Sequence, residues 1–450
     1  MVKTAIADES YLTYLKSLCK PDTCTVGLIL GQPSTGKDFI IHLARTPLGQ
    51  CDTAAKKSIT PVKPVKHINE VSESVVADHA KHATRMLPGG MFVLGIFVVS
   101  EEDIFSPVDS KLVAILNQIS KQLSMNSFVY GNPSNCEKLV LNLCTTTQTY
   151  TCKSYESSTF KPAEIKFQPK IATKWLQLEC KYELDQVFTI LEKDIGWPLR
   201  RYMTNILESI NKNLHNAVFI IDGEIKDNDE YLESVGKKRK LARSKTGYHE
   251  NTDSKALSVT ILSPCKAPDS NTDPEITDCG SKIRLTGHVA SKVWLHPKAT
   301  IGTASEAIVQ DIVRSLAARL EMHWDSLIEE EHGSPEDTNS IHEPPRRVLV
   351  TLPSSKITLS DYLFPGEGPQ ESQISLQELL DITLTADSEI KDIEGQADLN
   401  EMYMEEVESA DDVLPKLPTD TNKFMYIVGL GVAFLVLIIS LMVHYFRSNS

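Results

Sequence analysis

The sequence lacks any paired-cysteine motif. Its nine cysteines (Cys19, Cys24, Cys51, Cys136, Cys144, Cys152, Cys180, Cys265 and Cys279) are odd in number and irregularly spaced, with no C-x-x-C pair and no zinc-like cluster. That usage suits a reducing compartment. The amino-terminal stretch MVKTAIADESYLTYL holds no apolar run long enough for a signal peptide, and the one Asn-x-Ser match, Asn132-Pro133-Ser134, carries the forbidden proline. These absences agree that the bulk of the chain is expected to stay in the cytosol. A basic excess is lacking too. The net charge is −14, and residues 366–412 hold fifteen acidic side chains against one Lys, so the rest of the chain is electrically balanced. No nucleic-acid partner is expected, and no global field steers a ligand. Composition is otherwise globular, with 41% hydrophobic and 24% charged residues.

Catalytic signatures are also missing. No GxSxG elbow occurs, and no Cys or Ser stands in a recognisable nucleophile context. The sequence Gly31-Gln-Pro-Ser-Thr-Gly36-Lys37 follows an apolar strand and matches the start of a phosphate-cradling loop. The next residue should be Ser or Thr for Mg²⁺, and it is Asp38, whose carboxylate would repel phosphate. The segment after it, DFIIHLAR, reads as a strand, whereas a phosphate loop must open a helix. A hairpin turn is therefore expected, with no nucleotide and no cofactor. His79 and His82 lie three apart on a predicted helix and could share a metal, but no third ligand stands nearby; two surface histidines are expected.

What is present begins at the far end. Residues 424–443, FMYIVGLGVAFLVLIISLMV, are uncharged and long enough as a helix to span about 30 Å, the thickness of a bilayer core. Phe424, Leu430, Phe434, Leu437, Leu441 and Phe446 supply apolar surface, Tyr426 and Tyr445 sit where rings favour the interface, and Lys423 and Arg447 bracket the run. A transmembrane tail anchor over 424–446 is expected, with the bulk of the chain cytosolic. A buried core helix is the alternative reading.

The fold class expected is α/β (α+β). Residues 1–226 form a mixed sheet with flanking helices. Strands are expected over 25–31, 38–45, 91–100, 137–145, 148–155, 174–184 and 217–223. Helices are expected over 10–19, 108–123, 198–214 and 70–87, the last with Val71, Val75, Val76, Ala80, Ala83 and Leu87 as one stripe. Residues 227–256 contain GKKRKLARSK and read as a basic linker, with a nuclear-localisation signal as the alternative. A second, smaller α+β module spans 257–365, with strands 257–263, 281–288, 290–296, 346–352 and 356–361 and a long helix over 303–330. Residues 366–422 read as a disordered acidic tether, in which SQISLQELLDITLTA (372–386) is apolar enough to fold against a partner.

The order of elements around 25–100 resembles the Mpr1/Pad1 N-terminal (MPN) domain. In metalloprotease members of that family the last strand ends in His-x-His. Aligned on Gly95, those positions fall on Val98 and Ser100, neither of which is an imidazole, so the resemblance implies a catalytically empty scaffold with no metal. VGLILGQPSTGKDFIIHLARTP, HATRMLPGGMFVLGIF, FIIDGEIKDND and the apolar terminal run together resemble the odorant-response-abnormal protein four family over essentially the whole chain. Arg85-Met86-Leu87-Pro88-Gly89-Gly90 is the most distinctive stretch. That resemblance implies a tail-anchored protein of the endoplasmic reticulum acting in folding and trafficking of polytopic G-protein-coupled receptors. It also implies a partner, the ubiquitin-fold-modifier-specific protease, and it implies no catalytic residues. A direct receptor chaperone without protease recruitment and an MPN-type hydrolase are the other readings.

Overall fold

The computed structural model describes residues 2–34, 36–47, 65–101, 103–105, 110–131, 137–169, 174–235, 256–263, 278–329, 341–353, 355–384 and 390–395. The expected tail anchor, including Phe424, Tyr426, Leu430, Phe434, Leu437, Leu441, Tyr445 and Phe446, lies outside them, as do residues 236–255 of the basic linker. Among the described residues no helix is long and apolar enough to cross a membrane.

Seven strands close into a barrel: β1 Lys3–Asp8, β2 Thr25–Gln32, β3 Asp38–Arg45, β4 Phe92–Ser100, β5 Lys138–Cys144, β6 Tyr150–Glu156 and β7 Thr159–Gln168, in the order β1-β3-β2-β4-β5-β6-β7. The runs TVGLILGQ and FVLGIFVVS are buried at nearly every position, as strands covered on both faces must be. One face gathers Ile29, Leu43, Phe97, Leu139 and Leu141, against which α1 (Glu9–Ser17) lays Leu15. The other face, with Leu28, Leu30, Ile96 and Val140, packs against α2 (Glu73–Met86) and α3 (Ser110–Ser124). The β2–β3 turn is a hairpin, with Gln32 opposite Phe39, so Gly31–Lys37 does not open a helix. Asp38 is buried and ion-paired to Lys3 at 3.0 Å.

Beyond the short helix α4 (Ser127–Tyr130), a second sheet has the order β11-β8-β10-β9. Its strands are β8 Leu176–Leu191, β9 Val218–Ile221, β10 Leu257–Leu262 and β11 Cys279–Leu295. In β8, buried Leu178, Cys180, Tyr182 and Leu184 alternate with exposed Glu179, Lys181, Glu183 and Asp185, the period of a half-buried strand. The helices α5 (Leu199–His215) and α6 (Ile301–Glu329) share the core of its buried face. A third sheet, β13-β12-β14, is built from β12 Arg346–Thr351, β13 Thr358–Leu363 and β14 Ile390–Asp392.

Three expectations need correction. The strands expected at 281–288 and 290–296 are one strand, β11, paired without interruption to β8 from Ser281 to Leu295. Residues 257–365 do not stand apart as a module: β8 pairs with both β10 and β11, and Met1–Gly395 forms one compact unit. The acidic segment is ordered at its start. Pro369–Leu380 forms helix α7, which buries Leu376 and Leu380 and is followed by buried Ile382, while β14 extends the third sheet. The apolar stretch SQISLQELL therefore folds against the chain itself. Its C-terminal end is held by polar contacts: His42 Nε2 lies 2.7 Å from Leu380 O and His79 Nε2 lies 2.5 Å from Leu379 O. Asp381, in the left-handed conformation at φ 55°, accepts from Tyr14 Oη at 2.8 Å and pairs with Arg45 at 3.2 Å.

Candidate functional site

Arg85-Met86-Leu87-Pro88-Gly89-Gly90 closes helix α2 and turns the chain into β4, at the point where α6 crosses it. Arg85 lies in the last turn of α2, where a cation suits the helix dipole, and it reaches Glu321 of α6 at 2.8 Å. The next turn is bound to the same helix through its backbone. Gly89 N donates to Asp311 Oδ1 at 2.9 Å, and Gly90 N donates to Gln310 Oε1 at 2.8 Å. Arg314, one turn further along α6, donates through Nη1 to Leu87 O at 2.9 Å and Pro88 O at 3.0 Å, and through Nε to Val129 O at 2.8 Å. Two contacts explain the glycines. A Cβ on Gly89 would lie 1.9 Å from Ala307 O, and Gly90 adopts φ +79°.

Behind this turn lies a buried charge cluster. Arg347 of β12 grips Asp311 with two parallel bonds, Nη1 to Oδ2 at 2.8 Å and Nη2 to Oδ1 at 2.9 Å, and each residue is 1% exposed. Arg347 also donates to Ser360 Oγ and Ala290 O, and Ser291 Oγ donates to Asp311 Oδ2 at 2.8 Å. Glu394 accepts from Arg347 N at 2.9 Å and from Arg319 Nη2 at 2.7 Å. Burial alone would raise the Asp311 carboxyl, but Arg347 and the surrounding donors outweigh it and hold Asp311 below its ordinary value. Burial lowers Arg314 to about 10, so it remains a cation at neutral pH. The hub thus joins the α2–β4 turn, α6, β11, β12 and β13 through ionised groups whose polar atoms are engaged by protein partners, Arg314 Nη2 excepted. Chemically it is a clamp.

The positions aligned with the metalloprotease ligands are elsewhere. Val98 and Ser100 are buried on β4, opposite Asn142 and Cys144 of β5. Gly95, on the same strand, presses on β5: a Cβ there would lie 1.8 Å from Leu139 O. Among the described residues no group of three His, Cys, Asp or Glu could hold a metal ion.

The expectation that His79 is a surface residue is wrong. It is 3% exposed, with Nδ1 taking a bond from Thr46 Oγ1 at 3.0 Å and Nε2 donating to Leu379 O. α7 covers that face of α2, which a reading of 366–422 as disordered could not anticipate. Burial lowers the His79 pKa to about 4 and that of His82 likewise to about 4. Because the folded value of His79 lies below the unfolded one, the unfolded chain binds more protons below pH 6.5, and stability falls as pH drops from there toward 4. His79→Gln, which keeps a donor for Leu379 O, is expected to shrink the stability loss between pH 7 and pH 5 by about 2 kcal/mol, read from urea midpoints at the two pH values. An unchanged pH slope would show that His79 is not buried in its neutral form.

Comparison with known proteins bears on the same segment. The family model described as Odorant response abnormal 4-like matches residues 27–391, which include the α2–β4 turn and all of α6. The chain belongs to the Odorant response abnormal 4-like family. A human relative named protein odr-4 homolog is 27% identical over 99% of this chain and 100% of its own length. The odorant response abnormal protein 4 of Caenorhabditis elegans is 26% identical, over 68% of this chain and 63% of its own. Among solved structures, UfSP from C. elegans is similar over 85% of this chain and 57% of its own, with a TM-score of 0.41 and 10% identity.

For this Odorant response abnormal 4-like chain, the sequence singled out Arg85, Leu87, Pro88, Gly89, Gly90 and Gly95. The structure brings the first five against α6 and places Gly95 at the β4–β5 contact. Sequence reading missed Asp311, Arg314, Arg347 and Glu394. A signal was available for two of them. Between Ala307 and Ala318 the helix is buried at nearly every position, and Asp311 and Arg314 are its only charged residues there. A charge on a helix buried on every side must find a partner or be neutralised.

Proposed function

We propose that this chain is a non-enzymatic, tail-anchored adaptor of the endoplasmic-reticulum membrane. It recruits the ubiquitin-fold-modifier-specific protease and supports the folding and trafficking of polytopic G-protein-coupled receptors. The observation that carries this reading is membership of the Odorant response abnormal 4-like family over 27–391. Two features support it. The distinctive family segment is engaged in holding helix α6 to the barrel, which is the work of a scaffold. If the barrel is an MPN-like domain, its ligand positions are Val98 and Ser100, which offer no imidazole to zinc. The uncharged run 424–443 is the anchor, and anchoring raises the effective concentration of the cytosolic part beside membrane clients without any new contact.

The test uses the full chain as bait in detergent, with ubiquitin-fold-modifier cleavage assayed in the eluate. Cleavage that disappears from lysates lacking the protease supports the adaptor. Cleavage that persists without it would make this chain an enzyme, and absence of both protease and cleavage would leave only the chaperone role. In a companion experiment, replacing 424–446 by a polar linker is expected to move the protein from the membrane to the soluble fraction. Retention on membranes would remove the anchor from the proposal.

A further inference from the structure

Helix α7 is a strap with a small buried face. It lies against α2, β3 and β13 and gives the core Leu376 and Leu380, with Ile382 just beyond its end. β13 and β14 hold the chain before and after it, so the helix can leave without breaking a sheet ladder. Elements of that kind open at lower free energy than the core. Gln373, Ile374, Gln377 and Glu378 are exposed on its outer side, and Ser375 stands half-buried at the rim. Ser375 Oγ donates to Glu371 O of the same helix at 3.3 Å. Underneath, the carboxyl of Asp361 on β13 has the hydroxyls of Ser372 and Ser375 beside it and feels the charge of Glu367. Burial raises Asp361 to about 6, so at neutral pH it is an ionised group in surroundings that already disfavour its charge.

The charges that α7 itself carries are Glu371 and Glu378, one turn before and one turn after Ser375 and on its side of the helix. Between Gly366 and Ala386 there is no Lys or Arg. Arg346, at the N-terminal approach, is already engaged with Asp392, Phe364 O and Glu367 O. Ser375-Leu-Gln-Glu378 places a carboxylate at the spacing that acidophilic Ser/Thr kinases select by charge. We propose that Ser375 is a phosphorylation site for a kinase of that class, and that the phosphate lifts α7 from α2, β3 and β13. In the transfer, Ser375 Oγ attacks the γ-phosphorus of magnesium-bound ATP as the bond from that phosphorus to the β–γ bridging oxygen breaks. ADP leaves with the electron pair, and the kinase's catalytic carboxylate takes the hydroxyl proton. The product holds a charge of about −1.5 to −2 at pH 7 beside Asp361, Glu371 and Glu378, with no cation on its own helix to meet it, and like charge drives the helix outward. Departure takes Leu379 O and Leu380 O from His79 and His42 and uncovers part of the apolar side of α2.

The test incubates the full chain in detergent with magnesium, ATP and a purified acidophilic kinase of the casein-kinase-two type. Mass spectrometry finds the modified residue, and backbone hydrogen exchange is followed across the molecule. Expected is phosphate on Ser375, missing in Ser375→Ala, with amides of residues 369–382 exchanging about tenfold faster or more. Exchange in β4 and β5 stays unchanged, which also verifies that each variant has folded. Ser375→Asp should reproduce part of the loosening without kinase, whereas Ser375→Asn, of the same size and uncharged, should exchange as the natural protein does. A chain left unmodified at Ser375 overturns the site. Phosphate on Ser375 with α7 still protected overturns the release, and equal loosening by Asn and Asp overturns its electrostatic cause.

Discussion

Asp311→Ala is expected to cost about 3–5 kcal/mol of folding stability, because it strands the Arg347 guanidinium in the interior without its counter-charge. The geometry makes this the severe case. Both partners are 1% exposed, so water cannot replace the lost carboxylate without opening the junction of α6, β11 and β12. Gly89 N and Ser291 Oγ lose their acceptor at the same time. The measurement is the urea midpoint of the full chain, with ligand-free folding followed by circular dichroism. A second variant separates two accounts of the loss. If the cost is an orphaned charge, Asp311→Leu/Arg347→Met removes both charges and should recover much of the stability, since well-packed apolar pairs often substitute for buried ion pairs. If the double variant is as unstable as Asp311→Ala, the hub stabilises through the directional side-chain bonds of Arg347 to Ser360 and Ala290, and the electrostatic argument fails.

The same cluster marks the limit of what the sequence made legible. Elements with their own periodicity were readable: β2 to β6 of the barrel, α2, α5 and the long helix α6 fall within a few residues of where hydrophobic spacing puts them, whereas the barrel strands β1 and β7 were not expected. The hairpin at Gly31–Lys37 was readable because Asp38 and the strand-like DFIIHLAR after it conflict with a phosphate loop. What was not readable depends on partners far apart in the chain. Arg347 meets Asp311 across 36 positions, His79 meets Leu379 across 300, and neither sequence neighbourhood announces the other. α7 shows the reason most clearly. Its charge count is that of a solvated segment, yet Leu376, Leu380 and Ile382 are enough to seat it once His42 and His79 take its final carbonyls. Net charge describes the exposed side of such a helix and is silent about the buried one. The continuity of β11 was missed at Val289, where the expected strands were parted; that residue is 1% exposed and pairs with Tyr182 in an unbroken ladder to β8, which also accommodates Gly287 at φ +130°.

Gly89→Ala is expected to be as damaging as losing the hub, although it adds a single methyl group. The methyl carbon would stand 1.9 Å from Ala307 O and 2.8 Å from both the backbone N and the Cβ of Asp311. Those atoms belong to the backbone or first carbon of a buried helix, so no side-chain rotation relieves the clash; α6 or the turn must move. Overpacking alone costs about 1–3 kcal/mol. Separation of the turn from α6 would also break the bonds from Gly89 N to Asp311 and from Gly90 N to Gln310, and would pull Leu87 O and Pro88 O from Arg314. Leaving buried groups of this kind unpaired adds about 1–3 kcal/mol each where they stay dry. Gly36→Ala is the matched control, since a Cβ there meets nothing within 4 Å, and it should leave the urea midpoint almost unchanged. Measured together, the two variants ask whether the glycine of the family segment is there for flexibility or for contact. Equal tolerance of both would mean that α6 does not press on the turn. A collapse confined to Gly89→Ala would show that this segment is distinctive because a helix lies against its backbone, which makes it a joint of the scaffold and separates it from any surface that meets a partner.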